Sequence, residues 1–417
     1  MATSSAHDFR DALKIHDVRL FLGSVAFFTL ASRALAVVIG FQIYQITRNP
    51  MMLGWLGLVE AIPALSLVLF GGYIADHFDR RKILLITRLA SFLCAGGLVW
   101  ISWQSHETMT LPGLYAIIFL VGIARGFADP ANSAFEAQVV PKHLTVNASS
   151  WISSIWIGSS VIGPAAIGFI FDAWSAVGSY LIIATCFILS WLCTLLISPK
   201  PLPPPQPKES VLKSIGQGWH FVFSHPPLWS AMTLDLFAVL FGGMIALLPV
   251  FANDVLGVGA KGLGLLNAAP SLGAIFITLL ATHRPPIAHA GRNLLLSVAG
   301  FGISILVFAF SKNFWLSMTA LFFSGIFDGI SMVIRRSMVR LLSPDHLRGR
   351  IAAANWVFVC SSNELGAFES GMLAAWIGAV PCVALGGLAT LVIVGLTALG
   401  AKQLRELRFD VHTMERS

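Results

Sequence analysis

Eight ionisable side chains stand inside long apolar stretches of this sequence: Arg33, Glu60, Arg125, Asp129, Asp235, Asp328, Glu364 and Glu369. A charge at the centre of a membrane helix costs about 2.5–3.5 kcal/mol on insertion scales, so each needs a partner or a wet cavity. Transfer out of water disfavours the charged form of a carboxylate. An acid in such a place is therefore suited to binding and releasing a proton. Glu364, near mid-membrane, and Asp235 rank first for that work. Glu369 and Asp328 are further candidates, and hydrogen-bonded packing groups are the competing reading. Asp129 follows Arg125 by four residues, on one helical face. Arg33 and Glu60 fall at matching depths on antiparallel neighbours, which predicts an Arg33–Glu60 pair, either structural or part of a substrate or proton site.

A second constellation is the run Gly71-Gly72-Tyr73-Ile74-Ala75-Asp76-His77-Phe78-Asp79-Arg80-Arg81-Lys82. Small residues there let two backbones approach, and two carboxylates and three cations follow within seven residues. A basic turn between two membrane spans accounts for the cations. It does not account for Asp76 close behind a glycine pair.

The elements that position these groups follow from composition. The chain has 417 residues, 56% hydrophobic, with mean hydropathy +0.79 and only 11% charged residues, where a soluble domain carries about 25% charged. Repeated apolar stretches of membrane-spanning length exclude a pair of soluble domains. The five cysteines, Cys94, Cys186, Cys193, Cys360 and Cys382, all lie in apolar spans without a CxxC motif, so packing is expected of them rather than disulfides or metal binding. Met1 to Lys14 is polar, and no cleaved signal peptide is expected. Twelve helices are predicted, over 19–45, 51–75, 83–103, 111–131, 147–171, 177–198, 228–252, 262–283, 293–311, 313–335, 351–377 and 379–401. Trp55, Trp103, Trp174, Trp229, Trp315 and Trp376 fall near their ends, as interfacial anchors do.

An even number of spans puts both termini on one side. Of the 27 Lys and Arg residues, Arg33 and Arg125 lie inside spans, and only Arg48, Lys261 and Lys312 face the side opposite the termini. The remainder, including Arg335 and Arg336 at the tenth helix end and Arg348 and Arg350 beyond it, share the side of the termini. The positive-inside rule makes that side the cytoplasm. The net charge of +7 then needs no nucleic acid. Ser198 to Pro207 is a proline-rich linker, followed by an amphipathic segment, Lys208 to Ser224, expected to lie on the inner leaflet. The expected organisation is a six-helix bundle over 1–198, a linker region over 199–227, and a second six-helix bundle with a short tail over 228–417.

The halves repeat each other. Gly122, Gly126, Pro141 and the His143-Leu144 pair recur as Gly325, Gly329, Pro344 and His346-Leu347, an offset of 203. The offset continues to Gly163 and Gly366, and to Gly168 and Gly371. Duplicated six-span halves are the architecture of many secondary transporters. Mismatches inside the repeat single out residues: Arg125 is in register with Asp328, Val161 with Glu364 and Ala166 with Glu369.

With these pieces placed, the chain resembles the major facilitator superfamily over nearly its whole length. Gly72, Asp76, Arg80 and Arg81 match that family's loop signature between spans two and three, with His77 in place of a cation and Asp79 in place of a glycine. Gly158, Gly163, Pro164 and Gly168 resemble the span-five motif of its drug-exporting branches, and also fit a general helix-packing groove. Together with Arg348-Gly349-Arg350, the loop looks like the branch that contains the enterobactin exporter. The resemblance implies an all-α membrane fold of two pseudo-symmetric halves. It also implies that Asp76, Arg80 and Asp129 form a charge network latching one conformational state.

No nucleotide-binding loop, His-Glu-x-x-His motif or nucleophile elbow is present, so no enzyme, ATP pump, metal site or cofactor is expected. The leading reading is a monomeric inner-membrane secondary transporter, exporting small amphiphilic drug-like or siderophore-like compounds by proton-coupled alternating access. An importer, a lipid or metal transporter on the same fold, or a non-transporting receptor or scaffold are the alternatives.

Overall fold

The computed structural model describes residues 11–104, 107–201, 211–283, 288–344 and 348–409. The proline-rich stretch beyond Pro201, Arg284, Asp345–Leu347 and the side chains of Arg348, Arg350 and Cys360 lie outside the described residues. The membrane-length helices are α1 (His16–Thr47), α2 (Pro50–His77), α3 (Arg80–Gln104), α4 (Glu107–Val139), α5 and α6 (the two arms of Thr145–Leu196), α7 (Pro226–Phe241 and the turns to Val255), α8 (Gly259–His283), α9 (Ala290–Phe310), α10 (Phe314–Leu342), α11 (Arg348–Ile377) and α12 (Ala379–Gly400). Ten stretches among the described residues are long and apolar enough to cross a membrane. One of them holds both α5 and α6, and the more polar α11 stands outside the ten, which accounts for the twelve expected helices. In lipid only such closed hydrogen-bonding elements satisfy the backbone.

Two compact units emerge. One is Met1–Gln42 with Val59–Pro207, and the other is Ile43–Leu58 with Lys208–Ser417. The core of the first gathers Phe21, Leu84, Phe135 and Ile197, with Phe21 edge-on to Phe135 at 5.9 Å. The core of the second gathers Leu228, Leu294, Ile334 and Met338. The amphipathic segment forms the helix Val211–Ser224, and its Val222 is buried with Met232 of α7 and Ile351 of α11.

The repeated glycines do the same work in both units. A Cβ on Gly122 of α4 would overlap the Glu60 carbonyl oxygen of α2, and one on Gly325 of α10 would overlap the Pro270 carbonyl oxygen of α8. Gly163 brings α5 onto α1 at Leu30 and Arg33, as Gly366 brings α11 onto α7 at Val239 and Leu240. Apolar side chains gain little by leaving lipid for each other, so such close backbone approach is what holds helices together there. The offset of 203 reaches the turns as well. Ser175, between α5 and α6, has φ 53° and ψ −167°, and Gly378, between α11 and α12, has φ 94° and ψ 157°.

Two departures from the sequence expectation have local causes. α7 is not one continuous helix: after Phe241 it passes through a 3-10 turn, Met244–Leu247, and a π turn, Phe251–Val255. The Gly242-Gly243 pair weakens the helix at that point, and Pro249 can donate no backbone hydrogen bond. Asp79, where the signature has a glycine, needs no left-handed conformation. Its carboxylate accepts from Arg81 N at 3.0 Å and caps the start of α3.

Candidate functional site

In the first unit the packing of α2 on α4 sets Glu60 beside Arg125. Their ion pair is 2.5 Å long, and Arg125 also reaches Asp129 at 4.0 Å, one helical turn on. The expected partner of Glu60, Arg33, is placed differently. Gly163 draws α1 onto α5, its would-be Cβ lying 3.1 Å from that of Arg33. The guanidinium carbon of Arg33 then sits 4.7 Å from the ring centroid of Trp156. The ion-pair partner of Glu60 is therefore Arg125, brought up by the close approach of Gly122 on α4 to the Glu60 carbonyl, while Arg33 stays within electrostatic reach of both without an ion pair to Glu60. Trp156 carried no signal as an interfacial residue. The clue was its place seven residues before Gly163, on the same helical face. Of the other span-five residues, Pro164 and Gly168 are buried, while a Cβ on Gly158 would meet nothing within 4 Å.

In the second unit Asp235 of α7 and Arg335 of α10 form an ion pair, with side-chain exposures of only 8% and 10%. Ser331 accepts from Arg335 Nε at 3.3 Å, and Asp328 lies within electrostatic reach of the same guanidinium. Asp328, Ser331 and Arg335 are spaced by three and four residues, so they share one face of α10. Arg335 was grouped with the basic residues at the end of the tenth span. It is instead a buried partner of a membrane acid, well inside Phe314–Leu342. One carboxylate is therefore paired with this guanidinium, and a second lies within reach of its charge.

The loop signature ties the first unit together. Arg80 donates to Ala75 O at 2.8 Å and to Ala134 O at 3.0 Å, with Asp76 3.7 Å away. Arg81 reaches the last carbonyls of α6, Thr194 O at 3.4 Å and Leu195 O at 2.6 Å. Those carbonyls, of which Thr194 O also accepts from Ile197 N at 3.3 Å, form the negative end of the helix dipole. Arg88, 2% exposed, bonds the Thr194 hydroxyl and, at 3.3 Å, Asn132. Asp129 is held by Arg125 rather than by Arg80, so the expected triad divides into two local pairs. Gly72 faces open space for a Cβ, unlike Gly71, which lies against the Gly126 carbonyl oxygen.

Glu364 lies on α11 against Gly57, whose would-be Cβ is 2.9 Å from its carboxylate. Glu369 accepts from Ser370 Oγ at 3.4 Å. A cluster that sequence reasoning missed is centred on Asp254 in the π turn of α7. It accepts from the Tyr44 hydroxyl, from Arg48 at 3.2 Å and from Asn253 at 2.6 Å. Among the described residues no cluster of His, Cys, Asp or Glu is arranged to hold a metal ion.

Comparison with known proteins agrees with this architecture. The family model for the Major Facilitator Superfamily matches residues 21–367. The enterobactin exporter EntS of Shigella flexneri is 26% identical over 379 residues, covering 90% of this chain and 89% of the relative. Its counterpart from Escherichia coli O139:H28 is 25% identical over the same share. Among solved structures, the POT family transporter PepTSo superimposes with TM-score 0.74 at 12% identity, over 94% of this chain and 98% of the other. A bacterial homologue of the human lysosomal transporter Spinster gives 0.71 at 15%, over 95% and 99%. The D-xylose–proton symporter gives 0.70 at 15%, over 94% and 99%.

Proposed function

The chain belongs to the major facilitator superfamily, and on that premise we propose that this transporter exports small amphiphilic, siderophore-like or drug-like compounds by proton-coupled alternating access. What supports export is the similarity, end to end, to enterobactin exporters. What supports coupling is the buried cluster of the second unit. Asp235 is paired with Arg335 and Asp328 lies within electrostatic reach of the same guanidinium, and a desolvated cluster with two carboxylates and one cation reaches neutrality by taking up one proton. That proton is the one we assign to the transport cycle, with Glu364 and Glu369 as the further acids along α11.

The bias of Lys and Arg supports placing both termini in the cytoplasm, and the similarity to bacterial exporters supports a bacterial inner membrane. The loop signature would then sit on the cytoplasmic side, with Asp76, exposed beside Arg80, as the half of the latch open to a partner. Arg80 and Arg81, bonded to helix-end carbonyls, would hold the turn that carries it.

The test is flux in proteoliposomes containing the purified protein and a trapped pH indicator. Candidate siderophores and drugs are added on one side. The expected result is substrate movement with a substrate-dependent pH change, and loss of the pH change in Asp328→Asn. Substrate movement without any pH change would remove proton coupling, and the absence of movement across a broad panel would remove export.

A further inference from the structure

Arg33, in the middle of α1, carries a guanidinium to which no acceptor among the described residues is hydrogen-bonded. Arg88 is bonded to Thr194 and Asn132, Arg125 to Glu60, and Arg335 to Asp235. The ring contact to the Arg33 head is the face of Trp156, 4.7 Å away, and Glu60 and Arg125 lie within electrostatic reach. A guanidinium has five N–H donors in a fixed fork, and those of Arg33, a half-buried side chain, take no hydrogen-bond acceptor among the described residues. The position is nevertheless built. Gly163 clamps the stem of Arg33 against α5, and Trp156, two turns along that face, supports the head. Trp156 itself remains 52% exposed, so it offers an apolar aromatic surface next to an unfilled donor fork. Arg125 does not compete for a ligand, because Glu60 and Asp129 already share it.

We propose that Arg33 and Trp156 form a cargo-binding subsite for a planar oxyanion carried on an aromatic ring. The fork of Arg33 takes the oxyanion through two parallel charge-assisted hydrogen bonds, the geometry in which arginine surpasses lysine. The indole of Trp156 receives the adjoining ring and holds the guanidinium in place by cation–π attraction. This assignment rests on the reading of the chain as a transporter of small molecules, and gives that reading a chemical selectivity.

The test uses the full-length protein in lipid nanodiscs and two probes of nearly equal shape, salicylate and the uncharged salicylamide. Calorimetric titration should show salicylate bound more tightly than the amide by about tenfold or more, the value of charge-assisted over neutral hydrogen bonds. Arg33→Gln should abolish that selectivity, and Arg33→Lys, which keeps the charge and loses the fork, should restore only part of it. Trp156→Leu should weaken salicylate by roughly threefold to tenfold, with Trp156→Phe closer to the unaltered protein. Equal binding of the two probes, binding of neither, or selectivity that survives Arg33→Gln in a monodisperse protein overturns the subsite. If salicylate selectivity is absent while cargo still moves in proteoliposomes, the subsite falls and the transport reading stands. Selectivity in a protein that moves no cargo keeps the subsite and removes the transport reading.

Discussion

The two units use the same glycines to bring different charges together. In the first, Gly122 and Gly163 set α2, α4, α1 and α5 in contact, and the charges at the crossings remain open, with 45% of Arg125 and 49% of Asp129 exposed. In the second, Gly325 and Gly366 make the equivalent crossings of α8 with α10 and α7 with α11. There Asp235 and Arg335 are sealed away. Duplication therefore preserved the contacts that fix helix geometry, while the polar groups diverged into an open cluster and a closed one. An open cluster can exchange its partners for water or a ligand at small cost. In a closed one the cost of an unpaired charge is large, so pairing and protonation state are tied to each other.

The sharpest test of that contrast is to break the closed pair. Asp235→Ala leaves Arg335 buried and uncompensated, which should cost about 3–5 kcal/mol of stability; denaturant unfolding in detergent reads it. The double change Asp235→Ala with Arg335→Ala should recover part of the loss. A single substitution without effect would show that the pair is not sealed. Next in size come the crossings. Gly325→Ala and Gly122→Ala should each cost about 1–3 kcal/mol, because a methyl group there forces the backbones apart. Gly158→Ala, facing open space, should stay within about 0.5 kcal/mol. Thermal melting of the three variants side by side would show whether both units depend equally on their glycines.

The interhelical turns give a smaller effect of predictable sign. Ser175 holds a backbone conformation that glycine adopts at Gly378. Ser175→Gly should stabilise the protein by about 1 kcal/mol and Gly378→Ser should destabilise it by a similar amount, again by melting temperature. The smallest change is expected in the open cluster. Glu60→Gln should alter stability by less than about 1 kcal/mol, as for other accessible ion pairs. A loss as large as that of Asp235→Ala would erase the distinction between the two units.

Some of this geometry was legible before any coordinates. The Arg125–Asp129 contact follows from a four-residue spacing, whereas the break in α7 was not anticipated, although Gly242, Gly243 and Pro249 stand together there. The partner of Glu60 was not legible. Arg33 and Arg125 both lie at suitable depth, and the choice depends on which helix crosses α2 there. Arg335 was obscured by its neighbours Arg336 and Arg340, since a run of cations near a helix end looks like a membrane boundary. The cluster at Asp254 could not be anticipated either, because Ile43–Leu58 packs in the unit of the C-terminal helices although it continues α1 and α2.

The sequence by itself determined that the chain is a polytopic membrane protein, where its helices run, that its halves are duplicated, and which family it resembles. Those properties are local or periodic: apolar length, cation bias and the recurrence of glycines can each be read along the chain. Only the tertiary structure decided which charges meet. Pairing depends on the rotation of each helix about its axis and on the angle at which two helices cross. A shift of one residue at Gly122 or Gly163 would turn Glu60 or Arg33 toward another neighbour. The tertiary structure alone thus shows Arg125 joined to Glu60, Arg335 joined to Asp235, and Arg33 facing Trp156 with its donors unfilled.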